Sequence, residues 1–169
     1  MPGYSKLTPL AYGALTGSAN SLILPRFDPE NWLLVLVRIA GYGGGGGIAQ
    51  LQFNGDTGTT AYAYRVSNNF AAATTGVAGA AAGIKVSQTS TTNARALLAF
   101  KIGNVSGRAH GIVWQASDLS EAAATAPDIV VGSGLWATTS QINQITLEGG
   151  GTTLLTGTDM AIWGMGGLL

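Results

Sequence analysis

Short stretches rich in β-branched and aromatic residues recur along this chain, separated by glycine, asparagine, serine and threonine. This spacing is typical of antiparallel sandwiches and barrels, because each short strand is followed by a turn. The clearest candidates are WLLVLVRI, IAQLQF, AYAYRV, IKVSQT, ALLAFKIGNV, HGIVWQAS and AIWGM, at 32–39, 48–53, 61–66, 84–89, 96–105, 110–117 and 161–165. Three more short strands are expected in DIVVG, LWATT and QINQITLEG. We therefore predict an all-β, antiparallel fold.

The residue pattern also predicts the burial of individual segments. Residues 32–39 are apolar almost throughout, which predicts a strand buried on both faces. Residues 48–53 alternate apolar and polar side chains, which predicts a half-buried strand. Asn54-Gly55 predicts a tight turn with positive φ. In DLSEAAATAP, at 118–127, Ser120 and the alanines predict a single helical turn ended by Pro127.

The composition indicates an assembling protein. Only 9% of the 169 residues are charged, Gly contributes 26 residues, and the net charge is zero. A surface of small, weakly polar residues suits contact with other proteins, so we expect a homo-oligomer. The charge balance argues against nucleic-acid binding. The longest apolar run, at 33–37, is too short to cross a bilayer, so no membrane partner is expected.

Four prolines punctuate residues 1–31 and argue against regular structure there. We predict that these residues form an extended N-terminal arm, followed by a β-sandwich domain at 32–169. Leu22, Ile23 and Leu24 are the candidate assembly contact of this arm. The alternative is a loosely packed terminus.

The glycine run Gly43–Gly47 raises the question of a phosphate-binding loop, because Gly41, Gly43 and Gly46 match GxGxxG. A dinucleotide loop requires a following helix whose N-terminal amides hold the pyrophosphate. The segment that follows is a predicted strand, and no Gly-Lys-Ser/Thr is present for a Walker A loop. The run is therefore interpreted as a connection between strands, and no cofactor is expected.

Catalytic and metal-binding chemistry finds little support in the residue pattern. His110 is the only histidine, and we interpret it as a polar residue at a strand end rather than a catalytic base. Asn54 and Asp56 could offer oxygens to Ca²⁺, but the loop lacks a later glutamate, so no metal site is predicted. The acidic residues fall mostly in predicted turns: Asp28, Glu30, Asp56, Asp118, Glu121, Asp128, Glu148 and Asp159. We predict no catalytic residues.

Four tryptophans could in principle form a platform for sugar stacking: Trp32, Trp114, Trp136 and Trp163. Each lies inside or beside an apolar strand. Core packing or contact between subunits is therefore the favoured interpretation.

The segments LLVLVRIAGYGGGGGIAQLQFNGDTGTTAYAYRV and APDIVVGSGLWATTSQINQITLEGGGTTLLTGTDMAIWGM resemble small β-sandwich domains of tailed-bacteriophage structural proteins. The shared pattern lies in Leu51–Asp56, Trp136–Ile142 and Gly157–Gly164. Capsid decoration proteins, head fibres and minor tail proteins contain such domains. The resemblance implies a jelly-roll-like sandwich and a place in the virion. It carries no functional residues over.

We therefore predict a non-enzymatic virion protein, a capsid decoration protein that assembles as a homotrimer or other oligomer on the head. Its expected partners are further copies of itself and the major capsid protein or another virion protein. The first alternative is a minor tail or fibre-tip protein that contacts the host surface. The second is a lectin-like carbohydrate-binding module.

Overall fold

The fold is built almost entirely from strands. A computed structural model describes residues 6–44, 48–68, 74–86, 95–119 and 128–166. Within these ranges the strands are β1 Leu7–Ala14, β2 Ser21–Ile23, β3 Trp32–Ile39, β4 Gln50–Phe53, β5 Tyr62–Asn68, β6 Thr74–Ala81, β7 Ile84–Lys85, β8 Arg95–Gly103, β9 His110–Leu119, β10 Asp128–Trp136, β11 Ile145–Glu148 and β12 Asp159–Met165. In the same ranges, no helix is long and apolar enough to span a membrane.

The strands form two antiparallel sheets. The larger has the order β1-β12-β3-β8-β9-β10-β5-β6, and the smaller has the order β2-β11-β4-β7. Side chains from both sheets meet in one hydrophobic core. The predicted all-β antiparallel sandwich is confirmed.

Strand β3 shows how the larger sheet divides its side chains between two faces. Leu33, Val35 and Val37 point into the core, whereas Trp32 and Leu36 are exposed. The prediction that this strand is buried on both faces is wrong. An antiparallel sheet is covered by the partner sheet on one side only, so alternate residues point outward even where they are apolar.

Aromatic side chains fill the centre and one end of the core. The ring centroids of Phe53 and Trp136 lie 5.6 Å apart, and those of Tyr62 and Trp136 lie 6.4 Å apart. Further along, the indole of Trp114 lies over the backbone of β10, where a Cβ at Gly132 would overlap its ring atoms. Glycine is therefore required at this point of the strand for close packing.

The N-terminal region contradicts the prediction of an arm without regular structure. Strand β1 pairs with β12 and strand β2 pairs with β11, so the region contributes to both sheets. Leu22 and Leu24 are only 6% and 1% exposed and belong to the core, whereas Ile23 is 59% exposed. Leu22 and Leu24 therefore pack within their own sandwich, and an assembly contact remains a prediction for Ile23 alone.

Other segments differ from the predicted pattern in detail. Strand β4 does not alternate fully, because Gln52 is 7% exposed. The segment DIVVG and the first two residues of LWATT, predicted in two separate strands, belong to the single strand β10, and residues 137–139 follow it as a loop. Strand β6 lies in a stretch of small residues for which no strand is predicted. The predicted helical turn lies almost wholly outside the described residues, and Asp118 belongs to β9.

The turn at Asn54-Gly55 follows its sequence signal, and residues 42–43 at the start of the glycine run pair with residues 153–154. Asn54 and Gly55 have φ values of 53° and 71°, which confirms the predicted positive-φ turn. Before it, Tyr42 forms a β-bridge with Leu154, and the amide of Gly43 donates to Thr153 O at 2.9 Å. Residues 45–47 of the glycine run lie outside the described part of the chain.

Candidate functional site

The single histidine is held by the backbone at the start of β9. His110 is fully buried, with Nδ1 3.2 Å from Gly103 O and Nε2 2.9 Å from Ser140 O. Its ring stacks on Trp136 at a centroid distance of 5.2 Å. Both ring nitrogens face backbone carbonyls, so His110 joins three segments of the fold. This arrangement supports the structural interpretation of the residue.

The oxygens considered for a cation are engaged within the chain. Asp56 Oδ1 accepts from the Gly58 amide and Oδ2 from Trp136 Nε1, each at 2.8 Å. Asn54 Oδ1 accepts from the amides of Asn143 and Gln144, at 2.9 and 3.1 Å. These two side chains therefore stabilise loops.

The remaining acidic residues that the structure describes are scattered. Glu148 lies at the end of β11 in the smaller sheet, and Asp159 starts β12 in the larger. Asp159 pairs with Arg38 on the neighbouring strand. Across the described ranges, no group of three or more His, Asp or Glu side chains could hold a metal ion.

The loop between β10 and β11, residues 137–144, is fastened by buried amides and is called the corner loop. Asn104 is completely buried. Its Nδ2 donates to Glu30 O at 2.9 Å and to Ile142 O at 3.0 Å, and its Oδ1 accepts from the Ile142 amide at 2.6 Å. One side chain thus satisfies three peptide groups in two different segments.

Asn54 fastens the other end of the corner loop. In addition to the two bonds that its Oδ1 accepts, its Nδ2 donates to Gln141 O at 2.9 Å. Gln141 Nε2 in turn donates to Asn104 O at 2.9 Å. Asn54, Gln141 and Asn104 therefore form a hydrogen-bond network that fastens the corner loop. Asn104 carries no sequence signal of its own, because its partners are distant in the chain.

Tyr62 fastens the turn that contains Asp56, and its buried hydroxyl makes the stability of the protein depend on pH. Its hydroxyl donates to Asp56 O at 2.9 Å and accepts from the Phe53 amide at 3.0 Å. Burial raises the pKa of Tyr62 to about 12, and the Asp56 carboxylate adds to the increase, while the Phe53 hydrogen bond opposes it.

We expect the free energy of unfolding to fall as pH rises from about 10 to about 12. In that window the unfolded chain releases the Tyr62 proton while the folded chain keeps it, so Tyr62 costs about 2–3 kcal/mol of stability above pH 12. Urea unfolding at a series of pH values measures the loss. Tyr62→Phe removes this titration and should make the fall shallower, while the part due to Tyr64, whose pKa burial also raises, remains. Parallel curves for the two proteins would contradict the assignment.

The side of the eight-stranded sheet that points away from the four-stranded sheet is here called the outer face. Exposed large hydrophobic side chains are concentrated on it in the described residues. They include Leu7, Tyr12, Trp32, Leu36, Leu97, Val113 and Leu135. Contiguous exposed apolar surface of this kind marks an interaction site. The outer face is therefore the candidate functional site.

Strand register brings these side chains into rows across the outer face. One row runs through Tyr12, Ala161, Leu36, Ala99 and Gln115 on five adjacent strands. The next row places Trp163 beside Leu34 and Leu34 beside Lys101. Because Ala99 and Ala161 are small, an open groove of about 470 Å³ lies along Leu36 and Leu97.

The tryptophans divide between the core and the outer face. Trp114 and Trp136 are buried, Trp163 is half-buried, and Trp32 is 39% exposed. The ring of Trp32 extends toward Gly103, across the strand from Trp163. The two surface indoles therefore do not form a shared stacking platform, and the arrangement favours packing over sugar binding.

Comparisons with models of protein families, with curated proteins and with solved structures found no match to this chain.

Proposed function

We propose that this chain is a non-enzymatic structural protein of a tailed-phage virion, a capsid decoration protein that assembles with copies of itself on the head. The observation that carries the proposal is the outer face. Its exposed Leu36, Leu97 and Val113 lie on three adjacent strands of a regular sheet. A rigid apolar sheet surface suits permanent contact with another protein.

The use of polar side chains also supports a structural role. His110, Asp56 and Asn104 all make hydrogen bonds that fasten loops of the sandwich. A general base or nucleophile would instead be expected beside a cleft with a free lone pair. The proposed partners are the major capsid protein and further copies of this chain.

The segments that carry the resemblance have a common structural role. Leu51–Asp56 supplies Asn54, which bonds to Gln141 in the corner loop, and Asp56, which accepts from Trp136; Trp136–Ile142 supplies both of these partners. Gly157–Gly164 contains most of β12, which joins β1 to the rest of the larger sheet. The shared pattern therefore describes a scaffold, which supports a family related by architecture rather than by chemistry.

Immunogold electron microscopy on phage particles that carry this gene tests the proposal. Antibodies against the purified chain are expected to label the head, and mass spectrometry of the same particles should detect the protein at many copies. Label on the tail would instead support the minor tail or fibre-tip alternative. Absence of the chain from purified particles, with detection in the surrounding lysate, would contradict a virion role.

A further inference from the structure

We infer that a second copy of this chain covers the outer face, so that two larger sheets pack face to face about a twofold axis near Leu36. This inference names a partner for the surface that the proposed function uses, and it depends on the assembly part of that proposal. It commits to one occupant because the size of the face and its pattern of large and small side chains both suit a copy of itself.

The size of the outer face suits a stable dimer. Seven strands of the larger sheet lie side by side in the order β1-β12-β3-β8-β9-β10-β5, and β6 lies beyond them at the edge. With about 4.8 Å between strands and about 3.3 Å per residue, they cover roughly 30 Å by 25 Å, or about 750 Å². A standard protein interface buries about 800 Å² on each partner. One copy can therefore cover the face of another.

The shape of the outer face is complementary to the same face of a second copy. Leu36 is 41% exposed and projects between Ala161 and Ala99, its register partners on the two neighbouring strands. A twofold axis beside Leu36 places the projecting leucine of each copy over an alanine of the other. Packed sheets interdigitate in this way, with large side chains opposite small ones.

The charged side chains described on the face are Arg38, Arg65, Arg95, Lys101 and Asp159, whereas the register partners of Leu36 at the proposed axis are uncharged. Arg38 and Asp159 neutralise each other on adjacent strands at one end of the rows. Lys101 is exposed nearer the other end, where its long stem can lie along Val113 while its ammonium reaches solvent. The chain has no net charge, so two copies approach without long-range repulsion.

Sedimentation velocity tests the pairing with matched variants. The unmodified protein is expected to sediment at about twice 17.1 kDa. Leu36→Lys brings two ammonium groups together at the axis, so the dissociation constant should rise at least about 100-fold. Val105→Lys is the control: it is the same kind of change at an exposed position, 40% accessible, in the loop that follows β8. Circular dichroism should show both variants folded.

A cross-link locates the axis. The chain has no cysteine, so Leu36→Cys introduces a single thiol. A bis-maleimide with a reach of about 10 Å, the usual spacing of packed sheets, should join two copies, and Val105→Cys should stay uncoupled. A monomeric unmodified protein, a mass near three times 17.1 kDa, or equal cross-linking of the two variants would overturn the inference. Immunogold label on particles would leave the proposed virion role supported in each of those cases.

Discussion

Removal of residues 1–24 is expected to abolish cooperative folding of the whole sandwich. The deletion takes β1 from the edge of the larger sheet and β2 from the edge of the smaller one. It also removes Leu22 and Leu24 from the core. Loss of one buried leucine side chain costs about 2–5 kcal/mol, and a whole domain is stable by only about 5–15 kcal/mol. Differential scanning calorimetry should show no unfolding transition.

Point substitutions show whether the loss of folding comes from the buried leucines or from any change in the N-terminal region. Leu24→Ala should lower the free energy of unfolding by about 3 kcal/mol, because Leu24 is 1% exposed. Ile23→Ala, one residue away and 59% exposed, should change it by less than about 1 kcal/mol. A truncated chain that melts at the same temperature as the full chain would show that these residues are dispensable to the fold.

Replacement of Asn104 by alanine is expected to destabilise the protein by about 3–5 kcal/mol. The substitution leaves Glu30 O, Ile142 O and the Ile142 amide without their side-chain partner. A buried peptide group left unsatisfied costs about 1–3 kcal/mol, and three are affected here. Urea denaturation should show a lower midpoint with little change in slope.

Asn31→Ala is the matched control for this prediction. Asn31 is exposed, and its side-chain oxygen accepts one long hydrogen bond of 3.4 Å from Gln141 Nε2. Its loss should change stability by less than about 1 kcal/mol. Equal effects of the two substitutions would mean that the Asn104 side chain does not fasten the corner loop.

Much of the strand pattern is accessible from local sequence. Strands β3, β8 and β9 fall close to the predicted 32–39, 96–105 and 110–117, because β-branched and aromatic residues cluster there. The Asn54-Gly55 turn is equally accessible, because few other residue pairs tolerate positive φ at both positions. These features depend only on neighbours in the chain.

Features that depend on residues distant in the chain cannot be predicted from local sequence in the same way. Strand β1 contains Pro9, which argues against a strand, yet β1 lies at a sheet edge where a missing donor is tolerated, and a bulge follows between Pro9 and Ala11. The buried position of Asn104 depends on a loop nearly forty residues later, at Ile142. Which side chains lie on the outer face depends on which side of each strand the smaller sheet covers. The apolar residues of β3 do not by themselves show which side that is.

The pairing of β1 with β12 has a consequence for the timing of folding during synthesis. Leu7 pairs with Met165 and Ala14 with Asp159, so the N-terminal strand finds its partner only after most of the chain has been translated. Contacts between residues so distant in sequence slow folding, because a long loop must close before they form. The nascent chain therefore leaves the ribosome with β1 unpaired, and the larger sheet is completed only when β12 has emerged.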